Sequence, residues 1–247
     1  MQTKFGYMIK ECKICNGKGY LFSSKREFRG EEEEDFAKQC VCIKTAVNHH
    51  RYDVANIPRE YFNYSLDQFR ETSPEKIAVK EKIQSICANI KDYHREGRGL
   101  FLYGTKGTGK TMLGVEILKE AARNGYSTYY EFYPVLFEAF TRRGYVADNT
   151  KDDYDKIFHD TDFLLLDELV KESDFFNGQG NEVASARLLE MNILKRRASK
   201  PTIIISNLEN GLEDIKKYYG QYVYSMMKHN FNLISFKDED FRENGRW

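Results

Sequence analysis

The stretch GLFLYGTKGTGKTMLGVEIL, residues 99–118, spaces glycine, lysine and threonine as a phosphate site requires. Gly104, Gly109, Lys110 and Thr111 fit G-x-x-x-x-G-K-T, directly after an apolar run and at the start of a helical one. Glycines here, Gly107 among them, let the backbone wrap so that its N–H groups face phosphate oxygens, and the helix N-terminus adds positive potential. The predicted cradle comprises Gly104, Thr105, Lys106, Gly107, Thr108, Gly109, Lys110, Thr111 and Met112. Within it Lys110 reaches the β and γ phosphates of a nucleotide and Thr111 supports Mg²⁺.

Magnesium in such a site also needs a carboxylate at a neighbouring strand end. The apolar run TDFLLLDEL supplies Asp167, the expected magnesium residue, with Glu168 beside it. Glu168 either polarises an attacking water, which favours ATP hydrolysis over a GTP switch, or caps the helix that follows. A third apolar run, TIIISN, ends in Asn207. Its amide either orients the same water and senses the γ phosphate, or makes a turn. The expected catalytic set is therefore Lys110, Asp167, Glu168 and Asn207.

A second kind of chemistry lies near the N-terminus. Cys12 and Cys15 form C-x-x-C, Cys40 and Cys42 form C-x-C, and two close thiolate pairs suit tetrahedral Zn²⁺. A module this short buries too little apolar surface to fold without such a staple. His49 and His50 stand in reserve as ligands in place of one cysteine. The fifth cysteine, Cys87, falls on an apolar helix face and reads as core.

These residues need a scaffold. The pattern changes near residue 55, from cysteines and an acidic run, GEEEEDF, to alternating helical and strand-like segments. We expect a zinc-binding module over 1–52, a linker over 53–74 and an α/β domain over 75–247. Ile77, Ile83, Ile86 and Ile90 are expected on one face of a helix spanning 75–94. Strands at 99–104, 127–133, 163–168, 202–207 and 232–236 alternate with helices at 110–123, 134–143 and 182–197 and with two short helices before the last strand. That alternation predicts a central parallel sheet covered on both faces. Balanced charge, 38 basic against 38 acidic residues, excludes a global field that draws the chain to nucleic acid or to a membrane. No apolar run has the length of a membrane span, and the N-terminus lacks a secretory h-region, so a cytoplasmic setting with reduced thiols is expected.

Beyond these motifs, ANIPREYFNYSLDQF (55–69), KRRASKPTIIISNLE (195–209), YYGQYVYSMM (218–227) and LISFKDEDFR (233–242) resemble segments of the AAA+ helicase loaders of the DnaC, DnaI and IstB type, over about residues 53 to 242. The resemblance implies a P-loop AAA+ core without a C-terminal helical lid, with ATP and Mg²⁺ held by the residues named above. It also implies a sensor role for Arg242 near the phosphates. In the DnaI-like branch a zinc-bearing N-terminal domain contacts the replicative helicase, so the implied partners are that hexameric DNA helicase, single-stranded DNA and further copies of the chain. Where family members carry arginines resembling GERVxSR, this chain has Tyr222 and Met226. Neither can reach a neighbour's ATP as a positive charge, which implies slow or partner-dependent hydrolysis. Lys228, Arg196 and Arg197 are candidate substitutes, the two arginines being read otherwise as basic residues that offset the dipole of a helix end. Basic and aromatic residues at Lys13, Lys18, Tyr20, Phe22, Lys25 and Arg26, and at Arg142, Arg143 and Tyr145, are candidate contacts for single-stranded DNA or plain solvated surface. The expected function is ATP-dependent helicase loading. A transposition helper ATPase of the IstB kind and an ATP-binding adaptor with little hydrolysis are the competing readings.

Overall fold

Five apolar runs assemble into one parallel sheet, with β3 (Gly99–Gly104), β4 (Thr128–Phe132), β5 (Phe163–Leu169), β6 (Thr202–Ser206) and β7 (Phe231–Phe236) in the order β4-β5-β6-β3-β7. The computed structural model describes residues 12–24, 35–141, 157–169 and 186–237. These fall in two units, Met1–Val54 and Ala55–Trp247. The sheet belongs to the second. Phe163 to Leu166 and Ile203 to Ile205 are buried, as strands covered on both faces must be, and their lack of polar alternation is the sequence trace of that burial.

The helix α4 (Lys110–Arg123) crosses from β3 to β4 and lies against the sheet at Gly114, where an added Cβ would come within 2.9 Å of Ile205 Cδ1. Gly104, at φ +121°, closes β3 against β7, and a Cβ there would lie 1.9 Å from the Phe236 carbonyl oxygen. Two positions therefore require glycine for close approach, one under the helix and one at the root of the cradle.

Helices also show where the periodic reading needs correction. The expected helix over 75–94 is two, α2 (Pro74–Ala88) and α3 (Ile90–Glu96). Ser73 caps α2, its Oγ accepting from Lys76 N at 3.3 Å. Asn89 breaks it, its side-chain amide donating to the Ser85 carbonyl at 2.9 Å. Ile83 and Ile90 are buried, but Ile77 is 41% exposed. At 3.6 residues per turn Ile77 points ~120° away from Ile83, so the four isoleucines never shared one face. Over the described part of 182–197, Leu188–Leu194 is π-helical rather than α-helical, continued by a Lys195 N–H bond to the Glu190 carbonyl at 3.0 Å. The two expected short helices are present: they meet at Gly220, whose φ of 86° and ψ of 169° are non-helical, and together they span Leu212–Asn230, labelled α6. The helix after β4, α5, covers Tyr133–Thr141.

Residues 55–69, within the stretch expected to link the parts, bury Ala55, Ile57, Tyr64 and Phe69. Their anchors are polar. Lys119 on α4, 1% exposed, donates to the carbonyls of Tyr61, at 3.0 Å, and Tyr64, and pairs with Glu116 at 2.9 Å. Burial lowers the pKa of Lys119 and Glu116 opposes that shift.

The first unit is a hairpin of β1 (Tyr20–Ser24) and β2 (Asp35–Gln39), antiparallel, followed by the helix α1 (Val41–Val54). No helix among the described residues is long and apolar enough to cross a membrane.

Candidate functional site

The strand order determines which loops meet. Because β6 lies between β3 and β5, the carboxyl ends of all three open into one crevice, the place where open α/β sheets bind ligands. A cavity of about 370 Å³ occupies it. The cradle lines it through Lys106, Gly107, Thr108, Gly109, Lys110, Thr111 and Met112, β5 through Asp167 and Glu168, and the end of β6 through Ile205 and Asn207. Gly104 and Thr105 do not line it. They build the loop's root, where Thr105 N donates to the Phe236 carbonyl at 2.9 Å and the Thr105 carbonyl accepts from Thr108 Oγ1 at 2.9 Å.

Lys110 is buried and its ammonium donates to the carbonyls of Gly104, at 2.9 Å, and Thr105, at 2.6 Å. The loop thus holds its own cation over the crevice. Thr111 Oγ1 lies 3.3 Å from Asp167 Oδ1. Adjacent oxygen ligands of an octahedral magnesium ion are ~3 Å apart, so this pair suits that ion. Burial raises the pKa of Asp167, opposed by hydrogen bonds from Tyr130, from the Glu168 N–H and from Thr111, and by the charge of Lys110.

Asp167 and Glu168 project as they do because β5 bulges. Leu166 pairs with Ile204 and Leu169 with Ser206, so two residues of β5 oppose one of β6. Glu168 takes the extra place with φ 57°, a left-handed conformation uncommon for glutamate. Ser206 Oγ donates to the Leu169 carbonyl and accepts from Leu208 N at 3.1 Å, which fixes the strand beyond the bulge. Backbone strain of this kind persists where surrounding contacts over-determine it, and at this position it directs a carboxylate toward the cavity.

Sequence reasoning missed the opposite wall. Glu60, Tyr61 and Tyr64 line the cavity from the segment pinned by Lys119, and the Phe69 ring stands where a Cβ on Gly109 would come within 3.0 Å of it. It also missed Tyr130 on β4, whose hydroxyl donates to Asp167 Oδ2 at 2.9 Å. An aromatic-rich segment with Ile57–Pro58 was visible, but nothing local placed it over the cradle.

The candidate arginines separate clearly. Arg197 is 3% exposed and all its contacts are internal, to Thr202 Oγ1 and to the carbonyls of Phe158, Thr161, Asp162 and Pro201. It cannot serve as a finger for another subunit. Tyr222 is 51% exposed with Lys195 Nζ 4.7 Å from its ring centroid, while Met226 packs against the core. Arg242, Lys25, Arg26, Arg142, Arg143 and Tyr145 lie outside the described residues.

In the first unit the four cysteine sulfurs converge, all within 4.8 Å of one another. Cys12 and Cys40 are 3.7 Å apart and Cys15 and Cys42 are 3.6 Å apart, too long for disulfides. A tetrahedral Zn–S₄ centre with ~2.3 Å bonds has S···S edges of ~3.8 Å, which these separations fit. Hydrogen bonds from the backbone of Cys15 and Ile14 draw the Cys12 thiol down to about 7. Burial and the neighbouring thiols push Cys42 up, so four thiolates in this volume call for a cation. This cluster could hold a metal ion, and neither His49 nor His50 belongs to it.

Known proteins are similar to parts of this chain. No family model matches the chain. A stretch of 119 residues, 47% of the chain, is 26% identical to the replicative helicase loader DnaI of Bacillus subtilis (strain 168), and spans 37% of that protein. A crystal structure of the DnaC helicase loader superposes with a TM-score of 0.59 at 23% identity, over 73% of this chain and 100% of that one. A structure of the replication initiator DnaA bound to AMPPCP and single-stranded DNA gives 0.52 at 17% identity, over 74% of this chain and 51% of that one. The structural likenesses are of fold. The chain is thus similar in fold to the DnaC helicase loader and, over part of its sequence, to the helicase loader DnaI.

Proposed function

We propose that this chain is an ATP-dependent loader that binds a hexameric replicative DNA helicase and helps deliver it to single-stranded DNA in the cytoplasm. The observation that carries the reading is the convergence of the phosphate cradle, the Thr111–Asp167 oxygen pair and the strained Glu168 on one crevice, in a chain whose sequence matches DnaI. Backbone N–H groups of residues 106–111 and the Lys110 ammonium bind the phosphates, and Tyr61 and Tyr64 wall the same cavity. Magnesium would be held by Thr111 and Asp167, where it supplies positive charge to the transferring phosphoryl group. Glu168 accepts the proton of an attacking water at its carboxylate, and the Asn207 amide orients that water. The cysteine cluster holds zinc and makes the first unit the helicase-binding module.

Turnover by the chain alone is slow. An arginine supplied in trans is worth ~10³ to 10⁵ in rate for nucleotide hydrolases, and Tyr222 and Met226 supply none. Binding of ATP, rather than rapid hydrolysis, then controls the grip on the helicase.

Capture of purified cognate helicase on the immobilised chain tests this reading. Wild-type chain captures the helicase ring, Cys12→Ser with Cys15→Ser abolishes capture, and Lys110→Ala captures the ring but fails to load it on single-stranded DNA. Lack of capture by wild type, or no ATP uptake by calorimetry, overturns it.

A further inference from the structure

We infer that Tyr130 is a positioning residue for Asp167, and that its hydroxyl determines how tightly the cradle holds a divalent cation together with a nucleotide; this rests on the magnesium-nucleotide reading above. Asp167 is 5% exposed, so its oxygens depend on protein donors. One oxygen, Oδ1, takes two: Thr111 Oγ1 at 3.3 Å and Glu168 N at 2.9 Å. The other, Oδ2, takes the Tyr130 hydroxyl at 2.9 Å. With donors on both oxygens the carboxylate plane is fixed, and the oxygen beside Thr111 faces the cradle. Without the phenol, only the Oδ1 side holds the plane.

Tyr130 is well placed for this. On β4 it pairs with Leu165, and two residues further along β5 from Leu165 is Asp167, the partner of Phe132. Side chains two apart share a sheet face, and an aromatic side chain spans the diagonal between strands. The ring is buried, and it has only two side-chain torsions to order. Its backbone is tied on the outer side of this edge strand, where Tyr130 N donates to the Ala55 carbonyl at 2.8 Å and the Tyr130 carbonyl accepts from Asn56 Nδ2 at 3.0 Å. Asn56 adopts φ 56°, a conformation that asparagine tolerates better than most residues. The residues that fasten the wall segment to the sheet therefore also fasten the donor that aims Asp167.

Hydrogen-bond partners of metal ligands alter metal affinity by ~10- to 100-fold when removed. Tyr130→Phe removes one O–H and keeps the ring, so the fold is retained. The probe is a fluorescent ATP analogue whose binding to the full chain is titrated with MgCl₂ and compared with binding in EDTA. We expect binding in EDTA to be unchanged and the Mg²⁺ concentration for half-saturation to rise ~10-fold or more. In an Asp167→Asn background the same substitution should add nothing, because its effect runs through that carboxylate. An unchanged Mg²⁺ requirement, an equal loss with and without Mg²⁺, or an undiminished effect in the Asp167→Asn background each overturns the inference. Wild-type chain that binds the analogue in neither condition refutes instead the nucleotide reading on which the inference rests.

Discussion

Replacing Arg197 by lysine should destabilise the second unit by about 4 kcal/mol while leaving its chemistry intact. The guanidinium has five N–H donors, and each finds an acceptor: Nε on Thr202 Oγ1 at 3.0 Å, Nη1 on the Phe158 and Thr161 carbonyls at 2.6 and 2.8 Å, Nη2 on the Asp162 and Pro201 carbonyls at 3.1 and 3.0 Å. Burial lowers its pKa to about 10, so it stays charged at neutral pH. A lysine ammonium has three donors and no planar fork, leaving at least two acceptors unmatched. Each lost hydrogen bond from a charged donor is worth about 1.5–3 kcal/mol, which gives about 4 kcal/mol for the pair. For a domain of this size about 2–4 °C of Tm is lost per kcal/mol, so the midpoint should fall by about 8–16 °C. Thermal unfolding followed by circular dichroism measures the fall, and ATP turnover per folded molecule at low temperature should match wild type. A variant of unchanged stability that loses helicase-stimulated hydrolysis would refute the reasoning, since that is the behaviour of a finger and not of a staple.

Two further outcomes follow from the same geometry. Purified chain should release about one zinc per molecule when its thiols are titrated with an organomercurial and the metal is read with a chromophoric chelator; Cys12→Ser with Cys15→Ser should release none, and release of none by wild type removes the metal from the module. Acid sensitivity should depend on Asp162. Burial alone would raise its pKa, but hydrogen bonds from the Ser127 hydroxyl and N–H, with His94 Nε2 at 3.4 Å, hold it below its ordinary 3.8. A carboxyl held low in the folded state stabilises above its unfolded range and loses that contribution as pH falls through the folded pKa. The Tm of Asp162→Asn should therefore decline less steeply than wild type below about pH 4, and parallel declines would refute the assignment.

What the sequence made legible is what is local along the chain. Lys110 and Thr111 are six and seven residues from Gly104, and that spacing alone specifies a loop followed by a helix. Asp167, Glu168 and Asn207 were legible because each closes an apolar strand, and closing strands in a parallel sheet meet at one edge. Ile77 was misplaced because a count of isoleucines replaced the angle between them. Tyr61, Tyr64 and Tyr130 were missed for a different reason. Their relation to the cradle depends on strand order and on a buried lysine's choice of two carbonyls, and neither leaves a periodic mark. Arg197 was offered as a substitute for the missing arginines for the same reason, since its five acceptors lie as much as 39 residues away.

Buried charge on α4 carries the last step of the argument. The helix that begins at Lys110 holds the phosphate loop at its N-terminus, where exposed N–H groups give positive potential. Two to four turns later Glu116, Lys119 and Arg123 form a network, with Arg123 Nη2 on Glu116 Oε1 at 2.6 Å and Lys119 on Glu116 Oε2 at 2.9 Å. Such a network would be a poor source of stability compared with apolar side chains of the same volume. Its value is geometric, because Lys119 leaves the helix to bond the backbone carbonyls of Tyr61 and Tyr64. Through it a single helix positions both the candidate phosphate loop at its N-terminus and the wall that faces that loop across the cavity. On the proposed reading, a nucleotide in this cavity meets residues on both sides that one helix positions.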